Sequence, residues 1–327
     1  MDITSKDKFP SSIDGPFPTR ILLVSDSSPA SRLANQAATD VSNKSRSELY
    51  IVSTARTARP QALSSRKVPD VTVAHRGRNL EIPAAQSDKY DPGNIVDLGI
   101  LRDDRRAAKR IASLSLQLGA GLLIVGERQH RLSSSNIAQR LTRLSSCPLL
   151  IVRPSEKATE EPWPPRELVV GIDLSPESER VTEFCAALAS ALACRLSMVF
   201  AYYRFPESME PQGLTAFDSD EDTKWHAWHR LDRVSGSLEA TLGYRPSFRI
   251  LPGEESSAIV RAAEEAEQPS LIAVGTRRLG RTRRALLGSV SSSVLRSAYG
   301  LTLIVPSLSP EDVERERKTS DRVADAE

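Results

Sequence analysis

Three landmarks recur in the same order in the two halves of this 327-residue chain. The run ILLVSD ends at Asp26 and returns as VVGID, which ends at Asp173, 147 residues later. The run GLLIVG ends at Gly126 and its counterpart LIAVG ends at Gly275, an offset of 149 residues. A third apolar run, PLLIVRP, returns as LTLIVPS with an offset of 153 residues. Ordered landmarks at a nearly constant offset predict a duplicated domain. The change from 149 to 153 indicates that the first repeat is four residues shorter between its second and third landmarks.

The repeat also predicts where the domains begin and end. The chain is long enough for two domains of about 150 residues each. Between the repeats lies a proline-rich, charged stretch with the composition of a linker, and both ends of the chain are polar. We expect a disordered N-terminus at 1–19, domains at 20–154 and 167–308, a linker at 155–166 and a polar tail at 309–327.

Short apolar runs in each repeat alternate with segments that carry apolar residues at three- and four-residue spacing. Ser175 and Pro176 form a typical helix start, because a serine can cap the helix and a proline needs no N–H partner there. Strands that alternate with helices predict a parallel sheet with helices on both faces. The expected fold class is α/β, with two tandem open five-stranded parallel sheets. Ligands of such sheets bind beyond the carboxyl ends of the strands.

The loop after the fourth strand of the second repeat carries the residue types of an anion site. It reads GTRRLGRTRRALLGS and has five arginines between Gly275 and the pair Gly288 and Ser289. Glycine lets the backbone approach a ligand closely, and the free N–H groups of a helix start attract anions. Asp173, which follows the first strand, offers an acceptor for a ribose or a base. Together these residues predict a cradle for a nucleotide polyphosphate.

These motifs resemble those of the universal stress protein family. The resemblance rests on DLSPES after the first strand and on VGTRRLGRTRRALLGSVSSSVLRSA running into LTLIVP. Nucleotide-binding members carry Gly-x2-Gly-x9-Gly-Ser/Thr after the fourth strand, and that frame falls here on Gly275, Arg278, Gly288 and Ser289. It matches at three of its four positions. The resemblance covers essentially the whole second repeat and, more weakly, the first, and it implies an adenine nucleotide alpha hydrolase-like, Rossmann-like fold.

The ligand implied by the resemblance is ATP, with or without Mg²⁺. Its adenine end would lie near Asp173 and its phosphates near Gly288, Ser289 and Val290. By family position, the backbone around Ala201 at the end of the second strand would border the base.

Arg278 separates two functions that the sequence leaves open. An arginine side chain stands where the family has bare backbone, and it either blocks the phosphates or pairs with them. In the leading hypothesis the protein is a nucleotide-binding stress-response or signalling protein, in which ATP changes conformation or assembly. The alternative is a nucleotide-free interaction module with a vestigial pocket at Asp173. An ATP-using enzyme is disfavoured, because no Ser–His–acid pattern or nucleophile elbow is present.

The first repeat departs further from the family frame. Asp26 and Gly126 remain, but the loop reads ERQHRLSSSNIAQ, with Ser135 and Asn136 where the second repeat has Gly–Ser. Without the glycine and the loop length we expect a structural first domain and no second ATP site. A long polar insert at 54–94 is expected to cover or replace the mouth of its pocket.

Composition narrows the partners. The formal net charge is +2, from 44 basic and 42 acidic residues, so no overall attraction to nucleic acid or membrane is expected. No apolar stretch approaches the roughly 18 residues that cross a bilayer, and the N-terminus has no signal-peptide core. Three sparse cysteines suit a reducing compartment. We therefore expect a cytoplasmic protein whose partners are an adenine nucleotide and an unidentified protein.

Two further features bear on assembly. The family resemblance implies that the two repeats pair through the runs LLIV and LTLIV, and a homodimer of the whole chain stays open. The segment KWHAWHR holds Trp225, His226, Trp228 and His229. Packing at the edge of the core is the preferred interpretation of this segment, ahead of a partner surface. A metal site is the least favoured, since no third ligand is spaced to complete one.

Overall fold

The computed structural model describes residues 17, 19–26, 28–55, 95–102, 106–127, 137–154, 163–202, 220–276, 288–298 and 300–306. Most of the insert, most of the linker, most of the N-terminal segment and the whole polar tail lie outside these residues. The strands in chain order are β1 Arg20–Ser25, β2 Glu48–Ala55, β3 Ile95–Arg102, β4 Leu122–Gly126, β5 Leu149–Val152, β6 Glu167–Gly171, β7 Arg195–Tyr202, β8 Ser247–Pro252, β9 Ser270–Thr276 and β10 Leu301–Pro306. The helices are α1 Pro29–Ser45, α2 Ala107–Gln117, α3 Ile137–Leu144, α4 Pro176–Leu192, α5 Asp220–Ser237, α6 Glu239–Leu242, α7 Glu255–Glu265 and α8 Ser289–Ser297.

All ten strands belong to one sheet, in the order β3-β2-β1-β4-β5-β10-β9-β6-β7-β8. Within each half the strands are parallel, and the halves meet where β5 and β10 run antiparallel, with Leu150 opposite Leu303 and Leu149 opposite Ile304. The α/β class is as predicted, but one continuous sheet replaces the two separate sheets expected. The physical reason is that β5 and most of β10 are buried apolar strands, and either one left as an open edge would expose its backbone and side chains.

Strand residues alternate between two apolar layers. In β1, Ile21 and Leu23 pack into the layer under α1, α4, α5 and α6, while Leu22 and Val24 pack into the layer under α2 and α3. In the second half the latter face is covered by α7 and α8. Strands that are apolar on both faces are typical of a parallel sheet covered on both sides.

The helices that follow the first strand of each half begin and end alike. The hydroxyl of Ser28 accepts the N–H of Ser31 at the start of α1, and that of Ser175 accepts the N–H of Ser178 at the start of α4. Each helix has proline next to its cap residue. The helix start predicted at Ser175 and Pro176 is confirmed, and the first repeat uses the same device.

The helical segment between β7 and β8 is divided in two. Helix α5 ends at Ser237, and the short α6 ends at Gly243, whose φ of 76° is the left-handed conformation that glycine adopts readily. The core face of α5 carries Ala227, Leu231 and Val234.

The tryptophans of the KWHAWHR segment lie outside the core. The residues Trp225 and Trp228 are 60% and 48% exposed. Packing at the edge of the core, the preferred interpretation of this segment, is therefore wrong for these two side chains, because the smaller Ala227 and the more distant Leu231 form the stripe that packs inward.

Thr302 gives a first stability prediction. Its side chain on β10 is fully buried, and its hydroxyl has no hydrogen-bond partner among the described residues. A buried hydroxyl without a partner loses its hydration with no compensation. Replacing Thr302 with valine keeps the shape and removes the polar atom, so we expect the free energy of unfolding to rise by about 1 kcal/mol, measured by urea denaturation.

Thr182→Val is the matched control. Thr182 is equally buried, but its hydroxyl donates to the carbonyl oxygen of Ser178 at 2.7 Å. That substitution removes a satisfied hydrogen bond and should lower stability. If the two valine variants shift the denaturation midpoint in the same direction, the assignment of Thr302 as an unsatisfied hydroxyl is refuted.

Candidate functional site

Asp173 follows β6 at the carboxyl edge of the sheet and is exposed. Its Oδ1 accepts the backbone N–H of Ser175 at 3.0 Å, in the turn that leads into α4. Asp26 makes the same contact in the first half, with the N–H of Ser28 at 2.8 Å. In both halves the aspartate side chain accepts the backbone N–H two residues further along, which is a common turn geometry for aspartate. The aspartate therefore shapes the entry to α4.

Ala201 and Gly275 lie at the same edge of the sheet as Asp173. Ala201 is near the end of β7 and pairs with Leu251, and Gly275 is near the end of β9 and pairs with Val305. Strand β6 has β7 on one side and β9 on the other, so the strand order reverses at β6. That reversal is the usual position of a ligand crevice in an open α/β sheet. The sheet thus gathers three of the predicted residues around one switch point.

Gly288 is the residue before α8, which starts at Ser289. Helix α8 packs on β9 and α7, and it leads back to the start of β10, so its N-terminus lies toward the carboxyl edge of the sheet. In the part of the chain that the structure describes, no side chain caps this end, whereas serines cap α1 and α4. Ser289 is exposed and Val290 half-buried. The first turn of α8 therefore presents backbone N–H groups of the kind that attract anions.

Among the described residues, neither packing nor backbone conformation requires the glycine at position 288. Its φ is −57°, which any residue adopts. A Cβ built there would meet Ser291 Oγ at 3.8 Å, an ordinary contact. Neither backbone conformation nor packing among the described residues explains a glycine here. The nucleotide hypothesis gives a reason, because a glycine would let a ligand approach the backbone closely.

A model of the universal stress protein family matches residues 18–153 and 165–306. The chain belongs to the universal stress protein family. A universal stress protein of Mycolicibacterium smegmatis is 26% identical over 141 residues, which are 42% of this chain and 47% of that relative. The matched stretch thus spans about half the length of that relative.

Solved structures of universal stress proteins share the fold. One from Pseudomonas aeruginosa covers 93% of this chain and 98% of its own, with a TM-score of 0.62 and 15% identity. Another, in complex with cAMP, is 24% identical and covers 44% of this chain and 98% of its own. Its TM-score of 0.33 is too low to say anything about the ligand of this chain.

Arg278 and the other arginines of the loop lie outside the described residues, as do Ser135 and Asn136 in the first repeat. How the arginine at the second glycine position of this universal stress protein meets a ligand therefore stays a prediction.

Gly126, the counterpart of Gly275, is required by packing. A Cβ at Gly126 would lie 2.5 Å from both the carbonyl carbon and the oxygen of Ala30 and 2.6 Å from the nitrogen of Ser31. The first turn of α1 rests directly on this glycine. The presence of Gly126 in the first repeat is therefore explained by the fold without any ligand.

A buried ion pair that was not predicted from the sequence lies next to Gly126. Glu127 and Arg153 follow the neighbouring strands β4 and β5 and are 8% and 9% exposed. Arg153 donates to Glu127 Oε2 from Nε at 2.9 Å and from Nη2 at 2.6 Å. The only signal in the sequence is a charged residue directly after each of two apolar runs that end at the same edge.

Arg153 also joins the two halves. Its Nη1 donates to the carbonyl oxygen of Ala298 at 3.3 Å, and its backbone N–H donates to that of Gly300 at 3.1 Å. Ala298 ends α8, so a cation lies at the helix end that favours positive charge. The guanidinium thus links the carboxyl edge of the first half to the C-terminus of α8. Gly288 lies at the opposite end of that helix.

Glu254 caps α7 just beyond β8. Its carboxylate accepts the hydroxyl of Ser256 and the N–H of Ser257, each at 2.7 Å. These hydrogen bonds, that of Ser256 foremost, lower the pKa of Glu254 to about 2. The pKa is depressed on folding, so the stabilisation is fully present above the unfolded pKa of 4.5 and is lost as the pH falls toward 2.

We expect Glu254→Gln to reduce the loss of stability between pH 5 and about pH 2.5, because the variant has no carboxylate to protonate. Urea denaturation at the two pH values measures the difference. Glu255→Gln, one residue further along α7, is the control. A Glu254→Gln protein with the same acid sensitivity as the wild type would contradict the role of the cap.

The cysteines offer no reactive site. Cys147, Cys185 and Cys194 are buried and free. Burial raises the pKa of all three thiols, that of Cys194 to about 12. A thiol with a raised pKa is a poor nucleophile at neutral pH.

Neither a metal cluster nor a membrane helix is found in the part of the chain that the structure describes. No group of three or more histidine, cysteine, aspartate or glutamate side chains there could hold a metal ion. No helix there has the length and apolar character needed to cross a bilayer.

Proposed function

We propose that this universal stress protein binds one adenine nucleotide per chain, ATP foremost, at the switch point of its second half. The observation that carries the proposal is Gly288, a glycine before α8 that the fold does not require. With Gly275 and Ser289 it keeps three of the four positions of the phosphate-binding frame.

The arrangement of the edge supports a nucleotide rather than a free anion. The start of α8 supplies backbone N–H groups for the phosphates. Asp173 supplies an exposed carboxylate at the end of β6, and the end of β7 around Ala201 supplies backbone beside it. A nucleotide needs all three elements, since its base, ribose and phosphates are spread over several ångströms of the same edge.

The contrast between the halves supports a single site. In the first half Gly126 is explained by its contact with α1. The carboxyl ends of β4 and β5 are occupied by the buried pair of Glu127 and Arg153. The first half therefore has a structural account that needs no ligand.

We infer that the nucleotide acts as a signal rather than as a substrate. We assign no residue a catalytic role in ATP hydrolysis. Slow hydrolysis of bound ATP would be incidental. Occupancy would change conformation or assembly in a stress response. The three buried free thiols suit the reducing cytoplasm as its compartment.

A nucleotide-free interaction module is the second candidate. The exposed tryptophans Trp225 and Trp228 favour it, because large aromatic side chains at a surface are typical of contact with a protein. Arg278 at the second glycine position also favours it.

Isothermal titration with ATP, with and without Mg²⁺, tests the proposal on the full chain. We expect one site per chain, and Gly288→Val and Asp173→Ala each to weaken binding at least about tenfold, because the first places a side chain against the phosphates and the second removes an acceptor. Gly236→Ala on α5 is the control. No heat at millimolar ATP in folded protein would reject the nucleotide function and leave the interaction module, and two equal sites would reject the asymmetry.

A further inference from the structure

One end of the sheet in the second half carries a surface that the nucleotide hypothesis does not use. We call it the aromatic edge: Trp225, His229 and Trp228 on α5, with Phe248 and Ile250 on β8. The rings form a continuous series. Trp225 and His229 have ring centroids 4.2 Å apart, His229 and Trp228 5.1 Å, and Trp228 and Phe248 6.2 Å.

The apolar exposure is concentrated here. Among the described residues the exposed large apolar side chains are Leu144, on α3 in the other half, and the two tryptophans. Trp225 and Trp228 are three residues apart and therefore share one face of α5. A contiguous aromatic patch of this kind marks a contact surface, whereas single exposed apolar residues need no explanation.

The strand beneath the patch is an open edge. Strand β8 is the last strand of the sheet and pairs only with β7 among the described strands. It is half-buried along most of its length. Phe248 and Ile250 lie on the α5 face, while Arg249 on the opposite face is paired with Glu265. An unpaired edge strand is a template for another strand.

We propose that two copies of this chain associate through the aromatic edge, with β8 antiparallel to β8 of the second copy about a two-fold axis at Ile250. A two-fold axis perpendicular to the sheet keeps both α5 helices on the same face, so the tryptophans of both copies lie on one face of the joined sheet, on either side of the axis. A surface that meets itself in this way is the commonest form of homodimer contact.

Charge selects this register. With the axis at Ile250, Arg249 of one copy lies opposite Leu251 of the other, and the Arg249–Glu265 pairs bring opposite charges to both sides of the contact. With the axis at Arg249, two arginines would face each other directly, which is destabilising. Shifting the register by one residue would place Ile250 opposite Arg249, although their side chains belong to opposite faces of the sheet.

The molecule already closes an edge by this device. Strands β5 and β10 pair antiparallel, with Leu150 opposite Leu303, and related positions of the two repeats face each other across the junction. The aromatic edge of the second half would be closed in the same manner by an identical strand.

Sedimentation equilibrium of the full chain, from about 1 to 100 µM, tests the proposal. We expect a monomer–dimer equilibrium that Trp228→Arg and Ile250→Lys each weaken at least about tenfold, since each places a charge in the contact. Leu144→Lys, at the exposed apolar residue outside the aromatic edge, should leave the equilibrium unchanged. Circular dichroism shows that each variant folds.

Ile250→Cys gives a second measurement that does not depend on losing the dimer. A residue on the two-fold axis faces its own copy, so a short bis-maleimide should join two Ile250→Cys chains, while the buried native thiols stay unreacted. Leu144→Cys should remain monomeric under the same treatment. A wild type that is monomeric at the highest concentration overturns the proposal. A dimer that survives both charge substitutions and forms no cross-link at position 250 also overturns it.

Discussion

Glu127→Ala is expected to lower the free energy of unfolding by about 3–5 kcal/mol, because it leaves the guanidinium of Arg153 buried without its counter-charge. Both residues are less than a tenth exposed, and Arg153 makes two of its hydrogen bonds to Glu127. Arg153 also contacts Ala298 and Gly300, so the loss should weaken the junction between the halves. Urea denaturation followed by circular dichroism measures the change.

Two variants separate the buried charge from simple truncation. Glu48→Ala breaks the ion pair with Arg20, in which both side chains are about half exposed, and should cost less than about 1 kcal/mol. The double variant Glu127→Leu with Arg153→Met removes both charges and should recover much of the stability that Glu127→Ala loses. If Glu127→Ala costs no more than Glu48→Ala, the pair does not stabilise the junction.

Gly126→Ala is expected to destabilise the protein by about 2–3 kcal/mol, the usual cost of overpacking a tight contact. The added Cβ would lie 2.5 Å from backbone atoms of Ala30 in the first turn of α1, and backbone cannot move aside as a flexible side chain can. Helix α1 would have to shift away from β4. Thermal and urea denaturation measure the effect.

Gly288→Ala is the matched change in the second half. Among the described residues its Cβ would meet Ser291 Oγ alone, at 3.8 Å, so stability should change by no more than about 0.5 kcal/mol. Similar losses in the two alanine variants would mean that Gly288 is a structural glycine like Gly126, and the argument for a ligand there would lose its support.

The fold of each half was predictable because its pattern is simple. Apolar runs such as LIAVG are long enough for a strand and too short for a helix, and they alternate with segments of helical spacing. The merger of the halves into one sheet does not follow from this pattern, since each repeat is complete without it. The contact between the runs LLIV and LTLIV was implied only by the family resemblance, and it is the place where β5 and β10 join the two halves.

The sequence predicted at which edge of the sheet the candidate site lies. Residues that follow parallel strands must gather at one end of a sheet, which brought Asp173, Ala201 and Gly275 together. The ion pair of Glu127 and Arg153 was not predicted, because the sequence pattern of a charged residue after a strand is the same whether its side chain is exposed or buried.

The tryptophans of α5 show the limit of reasoning from residue type. Large aromatic residues are expected to be buried more often than exposed. In α5 the inward stripe is instead set by Ala227, Leu231 and Val234, at spacings of four and three residues. Positions 225 and 228 fall off that stripe, so the spacing of the smaller residues was the better guide.

Photolabelling with an 8-azido adenine nucleotide, followed by mass-spectrometric mapping of the labelled peptides, tests the central claim most directly. We expect one saturable label per chain, in peptides of the second repeat that contain the end of β7, and we expect unlabelled ATP to compete it away. A saturable label in the first repeat would contradict the claim that the duplicated domains have divided structural and binding roles, and labelling that ATP does not displace would contradict the nucleotide site itself.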